Sequence, residues 1–231
     1  MTLSNVLRDA WEIGKKNCVV LTCLGFVYAL STSLMSKSSD PETEKVLQKI
    51  ASGELQGAKA LQELSKHPLW TSNDIIVMII SLLVFIYLTC LIYRYVKKIV
   101  DEEEKIDFLE LITSTAKDYF MYFLKFFLLG LILIVGFACC VLPGFYLLVR
   151  YMFVPYIAAN EPELSMKDTM AKSMELTKGR FWTLFGYGIV AGLVVISGLL
   201  LCCVGYFFTL PLAYVMLGVV YDELVNEAES E

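Results

Sequence analysis

Six apolar runs divide the chain, at about 18–35, 74–94, 119–141, 144–160, 181–205 and 207–225. Each approaches the roughly 17–25 residues that a membrane-spanning helix needs, the first and fourth at the short edge. Val141-Leu142-Pro143-Gly144 and the stretch from Gly205 to Pro211 interrupt the hydrophobicity. Proline and glycine there predict hairpin turns, with Pro143 and Gly144 as turn residues. The pattern therefore predicts an all-α integral membrane fold, six transmembrane helices arranged as three helical hairpins.

An amphipathic segment precedes runs one, three and five. Placing Thr2–Leu21, Glu104–Phe123 and Ser165–Leu184 in register aligns Lys15, Lys117 and Lys178. The same register aligns Leu7 with Leu109 and Met170, Asn5 with Asp107 and Asp168, and Leu21 with Phe123 and Leu184. The economical reading is three copies of one unit, at about 2–100, 104–160 and 165–226. Each copy is a surface helix followed by a hairpin, and the first carries a polar insertion at 36–73. In the first segment Leu3, Val6, Leu7, Ala10 and Trp11 share one face. In the third, Ser165 with Asp168 fits a capping box, Met166, Met170 and Met174 form a stripe, and Lys178-Gly179 reads as a helix stop. Such helices lie in the membrane interface, as braces for the bundle or as sensors of lipid headgroups.

Composition sharpens the class. Of 231 residues, 57% are hydrophobic and 19% charged, and the mean hydropathy is +0.64. A soluble domain of this size cannot hide that much apolar surface, and disorder, collagen and coiled coil are excluded. A net charge of −5 argues against nucleic acid as a partner. Seven cysteines, all in apolar runs, read as small buried hydrophobes rather than a disulfide framework.

Lys and Arg placement sets the orientation. Twelve of them, from Arg8 to Arg180, fall at the N-terminus, 94–118 and 161–180. The opposite short turns carry none, so both termini are expected to be cytoplasmic. Residues 1–31 also carry a signal-peptide pattern, with Ala29-Leu30-Ser31 as a cleavage site. The long amphipathic stretch ahead of the apolar run favours a retained span. The insertion 36–73 is then extracytoplasmic. Asp40-Pro41 can start a helix there, Ser52-Gly53 can split it, and Val46, Ile50, Leu55, Leu61 and Leu64 can form its apolar face. It reads either as a self-packed cap or as a docking surface for an envelope protein. Trp70 and Trp182 mark the two interfaces.

Arg150 carries the most chemical information. On a straight fourth span it lies near mid-membrane, where an arginine costs at least about 2.5 kcal/mol and needs a partner. Asp222 and Glu223, in the last turns of the sixth span, are the candidate ion-pair partners, and backbone carbonyls freed by Pro155 or Pro211 are the alternative. Two readings stay open: a contact for an anion or lipid phosphate, and a structural pin between helices. Lys125 is expected to snorkel. Gly188-x-x-x-Gly192 fits close helix packing. No carboxylate sits in the middle of a run, and His67 is the only histidine. No motif implies a metal, a cofactor or a nucleophile with its base. Cys139-Cys140 and Cys202-Cys203 are poor chelators without further ligands.

The second half resembles a known module. Leu142-Pro143-Gly144-Phe145-Tyr146, then Arg150 and Pro155, then Ser173-x-x-Leu176-Thr177-Lys178-Gly179-Arg180-Phe181-Trp182 are similar to the membrane domain associated with bacterial glycerophosphoryl diester phosphodiesterases. They also resemble the YciC-like uncharacterised inner-membrane proteins. The resemblance covers about 106–226 and implies a membrane module, not the hydrolase, for which the stretch after the sixth run leaves no room. Insertion 36–73 departs from that pattern. The resulting expectation is a non-enzymatic protein of the bacterial inner membrane. It would serve as an accessory or scaffold in envelope or lipid homeostasis, binding membrane lipids or a protein partner. The alternative is a small carrier or channel for an anionic or lipid-like substrate passing Arg150.

Overall fold

The computed structural model describes residues 3–35, 41–54, 57, 59, 72–101, 106–200 and 204–230. Among them all regular structure is helical: α1 (Leu3–Lys16), α2 (Cys18–Met35), α3 (Pro41–Ala51), α4 (Ser72–Val100), α5 (Phe108–Cys139), α6 (Val141–Arg150), α7 (Val154–Asn160), α8 (Met166–Leu176), α9 (Phe181–Leu200) and α10 (Val204–Ser230). Five stretches are long and apolar enough to cross a membrane: Ile75–Val100, Phe108–Cys139, Val141–Asn160, Phe181–Leu200 and Gly205–Ala228. A sixth exists if Leu3–Lys16 and Cys18–Leu30, which meet at 89°, count as one bent span. The chain is thus an all-α, multi-pass membrane protein. Trp70, His67, Cys202, Cys203 and most of insertion 36–73 lie outside the described residues.

Two compact units share this chain: Met1–Val27 with Ile86–Glu231, and Tyr28–Phe85. In the smaller unit, Tyr28 and Phe85 bring their rings to 4.8 Å, and Val46 and Ser81 are buried. Helix α3 starts at Pro41, and the chain turns at Ser52 and Gly53 (φ 79°), as the Ser52-Gly53 signal predicts.

In the larger unit the three amphipathic segments fold differently. The first is a separate helix ended at Asn17, whose Nδ2 donates to the Ile13 carbonyl. It buries Val6, Ala10 and Gly14 and packs on α10, with Trp11 edge-on to Phe208 at 6.1 Å. The third is also separate: Ser165 caps α8 by accepting from the Asp168 N–H at 3.2 Å, and Gly179 ends the segment at φ 75°. A left-handed residue stops a helix at little steric cost only when it is glycine. The second segment is no separate helix. Asp107 caps it, but Asp118 and Tyr119 stand where the others have a break, and α5 runs on for 32 residues.

The two predicted turns move. The α5–α6 corner falls on Cys140 (φ −168°, ψ 153°), so Pro143 and Gly144 lie in the first turn of α6. A proline has no N–H to give to residue i−4 and clashes with its carbonyl, so α5 cannot run through Pro143. Gly144 instead lets α6 sit close to the Phe137 ring, 2.4 Å from where a Cβ would be. Likewise Pro211 lies inside α10 rather than in a turn. It deprives the Phe207 carbonyl of its helical donor. That oxygen rests against Gly25 of α2, 1.9 Å from where a Cβ would stand.

Gly188 and Gly192 do not pack as the spacing predicts. Both are exposed, with nothing within 4 Å of their Cβ positions. The buried line of α9 is Leu184, Tyr187, Ala191 and Gly198, which sets the two glycines on another face. A Gly25→Ala change should therefore lower the detergent unfolding midpoint, by about 1–3 kcal/mol, because a backbone oxygen cannot step aside. Gly188→Ala and Gly192→Ala should be neutral or stabilising by up to about 1 kcal/mol, the helix-propensity gain.

Candidate functional site

The fourth span is broken, and its sequence explains why. Pro155 sits at the start of α7 and cannot donate to residue i−4. The chain crosses 151–153 in tighter turns, with Met152 N–H on the Val149 carbonyl and Val154 N–H on the Tyr151 carbonyl. The Arg150 carbonyl is taken up from α8: Ser173 Oγ donates to it at 2.9 Å and Thr177 Oγ1 at 3.4 Å. Thr169, Ser173 and Thr177 are all fully buried. The inward face of α8 is thus this hydroxyl line, while Met166, Met170 and Met174 stay half-buried or exposed. The Arg150 backbone and the Ser173 and Thr177 hydroxyls, 23 and 27 residues apart in sequence, thus meet in space.

The C-terminal carbonyls of α7 draw in cations. Arg94 of α4 donates from Nε to the Ala159 carbonyl at 2.7 Å and from Nη2 to Asp118 of α5 at 2.7 Å. Lys125 Nζ reaches the Glu161 and Pro162 carbonyls, both at 3.1 Å. Helix C-termini carry partial negative charge and unpaired carbonyls, so cations belong there. Lys125 is 2% exposed; it does not snorkel, because these carbonyls hold it inside. Lys172 of α8 pairs with the Glu161 carboxylate at 2.6 Å, with the Tyr221 hydroxyl at 3.4 Å from the same oxygen. Burial disfavours the Lys172 ammonium, but the hydrogen bond to Glu161 and the nearby Tyr221 outweigh it, so its pKa rises above the ordinary lysine value.

Beside this clasp lie two polar cavities. One, of about 320 Å³, is lined by residues that include Arg94, Lys97, Lys98, Asp118 and Asn160. The other, of about 530 Å³, is lined by the charged Lys172, Glu175, Lys178 and Arg180 and by the apolar Leu176, Leu224, Val225 and Ala228. Arg180 pairs with Glu227. Trp182, two residues further on, is 79% exposed and joins Phe181 and Phe185 in an aromatic cluster. Two other cavities, of about 390 and 480 Å³, are mainly apolar.

Arg150 does not occupy the middle of a straight span. It ends α6, one turn after Tyr146, whose ring stacks on Phe181 at the start of α9. Its carbonyl faces α8. Its guanidinium carbon lies 6.0 Å from the Tyr146 ring, and its Nε is buried without a hydrogen-bond partner. Among the described residues no ion pair joins it to Asp222 or Glu223. Asp222 accepts from Asn226 at 3.3 Å, and Glu223 Oε2 is buried without a hydrogen-bond partner. Sequence reasoning passed over Arg94, Glu161, Ser173 and Thr177 as interacting groups, and the signal for them was Pro155. Among the described residues no three His, Cys, Asp or Glu side chains gather to hold a metal ion.

The clasp makes two predictions, both read by unfolding in detergent. Arg94→Met should cost about 3–5 kcal/mol, since it strands Asp118 as well as a carbonyl. Asp118→Asn should cost less, because Arg94 keeps Ala159. Ser173→Ala and Thr177→Val should each be mild alone, while the double change leaves the Arg150 carbonyl orphaned and should cost about 1–3 kcal/mol, more than the sum of the single effects. In comparisons with known proteins, no family model, no curated protein and no solved structure matches this chain.

Proposed function

We propose that this chain is a non-enzymatic accessory or scaffold protein of the bacterial inner membrane that binds lipid headgroups at its cytoplasmic face. The observation that carries this reading is the 530 Å³ cavity, whose lining joins four charged residues to four apolar ones. Its size falls in the roughly 300–1,000 Å³ range of small-molecule sites. Trp182 beside it is the kind of residue that settles at headgroup depth. Lysine and arginine asymmetry supports cytoplasmic termini, six spans and hence a cytoplasmic position for α8. The resemblance of about 106–226 to the membrane domain associated with bacterial glycerophosphoryl diester phosphodiesterases supports a membrane module without an enzyme. Insertion 36–73 remains the proposed dock for an envelope partner.

Passage of an anionic substrate along Arg150 is the second reading, and the unpartnered Nε favours it. It ranks second because none of the four cavities above is lined by Arg150. Native mass spectrometry after mild extraction separates the two. Wild type should retain phospholipid, Lys178→Ala should retain several-fold less, and Arg150→Leu should retain as much as wild type. The leucine leaves the carbonyl clasp intact, since the clasp uses only the Arg150 backbone. Lipid loss in Arg150→Leu alone would overturn the cavity reading in favour of the arginine. A co-extracted protein with no lipid would leave only the scaffold role.

A further inference from the structure

Which headgroup the 530 Å³ cavity suits follows from its charges, and the inference rests on the lipid-binding reading above. Three cations line the cavity: Lys172, Lys178 and Arg180. Two of them are already engaged, Lys172 by Glu161 and Arg180 by Glu227. Glu175 lines the cavity too. With the partner carboxylates the cluster holds equal numbers of positive and negative groups. A purely anionic headgroup would gain Lys178 and meet Glu175 at once, and like charges at contact are unfavourable. Lys178 and Glu175 are exposed and joined by the turn that ends α8, with the Lys178 N–H on the Glu175 carbonyl at 3.0 Å, and both line the same cavity.

We propose that this cavity takes a zwitterionic amino-phospholipid headgroup, a phosphodiester ending in a primary ammonium. Lys178, with Arg180 behind it, receives the phosphate. Glu175 receives the ammonium. The glycine at 179, held at φ 75°, carries no side chain between the two cations. Leu176, Leu224, Val225 and Ala228 add apolar surface to the same lining, and the Phe181–Trp182–Phe185 cluster follows directly after Arg180, with Trp182 of a kind that favours headgroup depth. A headgroup carrying both signs satisfies both Lys178 and Glu175, and one carrying a single sign leaves one of them opposed.

The test uses the full chain in nanodiscs containing equal amounts of phosphatidylethanolamine and phosphatidylglycerol, with bound lipid read by native mass spectrometry. Wild type should retain phosphatidylethanolamine at least severalfold over phosphatidylglycerol. Glu175→Gln should erase that preference by raising phosphatidylglycerol, and Lys178→Ala should lower both. Both side chains are exposed, so the variants should keep the wild-type unfolding midpoint, which is measured alongside. Equal or greater retention of phosphatidylglycerol by wild type, or an unchanged preference in Glu175→Gln, overturns the headgroup assignment and leaves lipid binding standing. Retention of neither lipid overturns both. Soluble phosphoethanolamine displacing the lipid at micromolar concentration would assign the site to a free amino-phosphate instead.

Discussion

A membrane-spanning backbone must satisfy its own carbonyls, because hydrocarbon offers no donors. Two prolines in this chain break that rule, and much of the described architecture answers them. Pro155 interrupts the fourth span: it has no N–H for the Tyr151 carbonyl, the Val154 N–H turns to that carbonyl instead, and the Arg150 carbonyl so freed is taken up by Ser173 of α8 and by Thr177 just after it. Pro211 releases the Phe207 carbonyl, which lies against the bare backbone of Gly25. At the far end of α7, Arg94 and Lys125 close over the next carbonyls. Each solution comes from a different helix, so each break also ties α2, α4, α5 or α8 to its neighbours within the larger unit.

These ties are unequal in strength. A neutral hydroxyl-to-carbonyl bond contributes about 0.5–1.5 kcal/mol net, and one from a charged donor about 1.5–3. The cations at the end of α7 therefore hold the fold more tightly than the hydroxyls at its start. Burying Arg94 and Lys125 carries a desolvation cost. Arg94 offsets it with Asp118 and with the Ala159 carbonyl, and Lys125 with two carbonyls at the negative end of a helix. That balance explains why buried cations persist in a chain otherwise so apolar.

Periodicity made the helices legible, and the signals Ser165 and Lys178-Gly179 placed the ends of the α8 segment well. Hydropathy found the spans, because apolar length is a local property, but α4 runs on to Val100 and α5 begins at Phe108, well outside the apolar runs 74–94 and 119–141. What escaped the sequence was nonlocal. Pro143 and Pro211 read as turn residues, yet proline is tolerated at a helix start and, where another element covers the freed carbonyl, inside a helix. The Met stripe of α8 was visible in the sequence, whereas its buried line of Thr169, Ser173 and Thr177 was not, because the Arg150 carbonyl that takes two of these hydroxyls lies on another element. Arg150 itself drew attention as a charge near mid-span, whereas the contact the structure gives it runs through its backbone. Gly188 and Gly192 fitted a packing motif, but which face of α9 meets a neighbour depends on α10, and periodicity alone does not name that face.

The same accounting bears on what the molecule does. Polar groups engaged by the chain's own backbone are not available to a substrate. Arg94, Lys125, Ser173 and Thr177 are engaged in this way, around the two ends of α7. The charged groups that line a cavity beside apolar residues, Lys178 and Glu175 foremost, belong to the last turn of α8 and to the short turn that leads into α9. That position suits recognition at the membrane surface: the turn is held by Gly179 and by the clasp beneath it, so the charged side chains are presented from a fixed base. Preorganisation of this kind lowers the ordering cost of binding, and it does so without any moving part in the bundle.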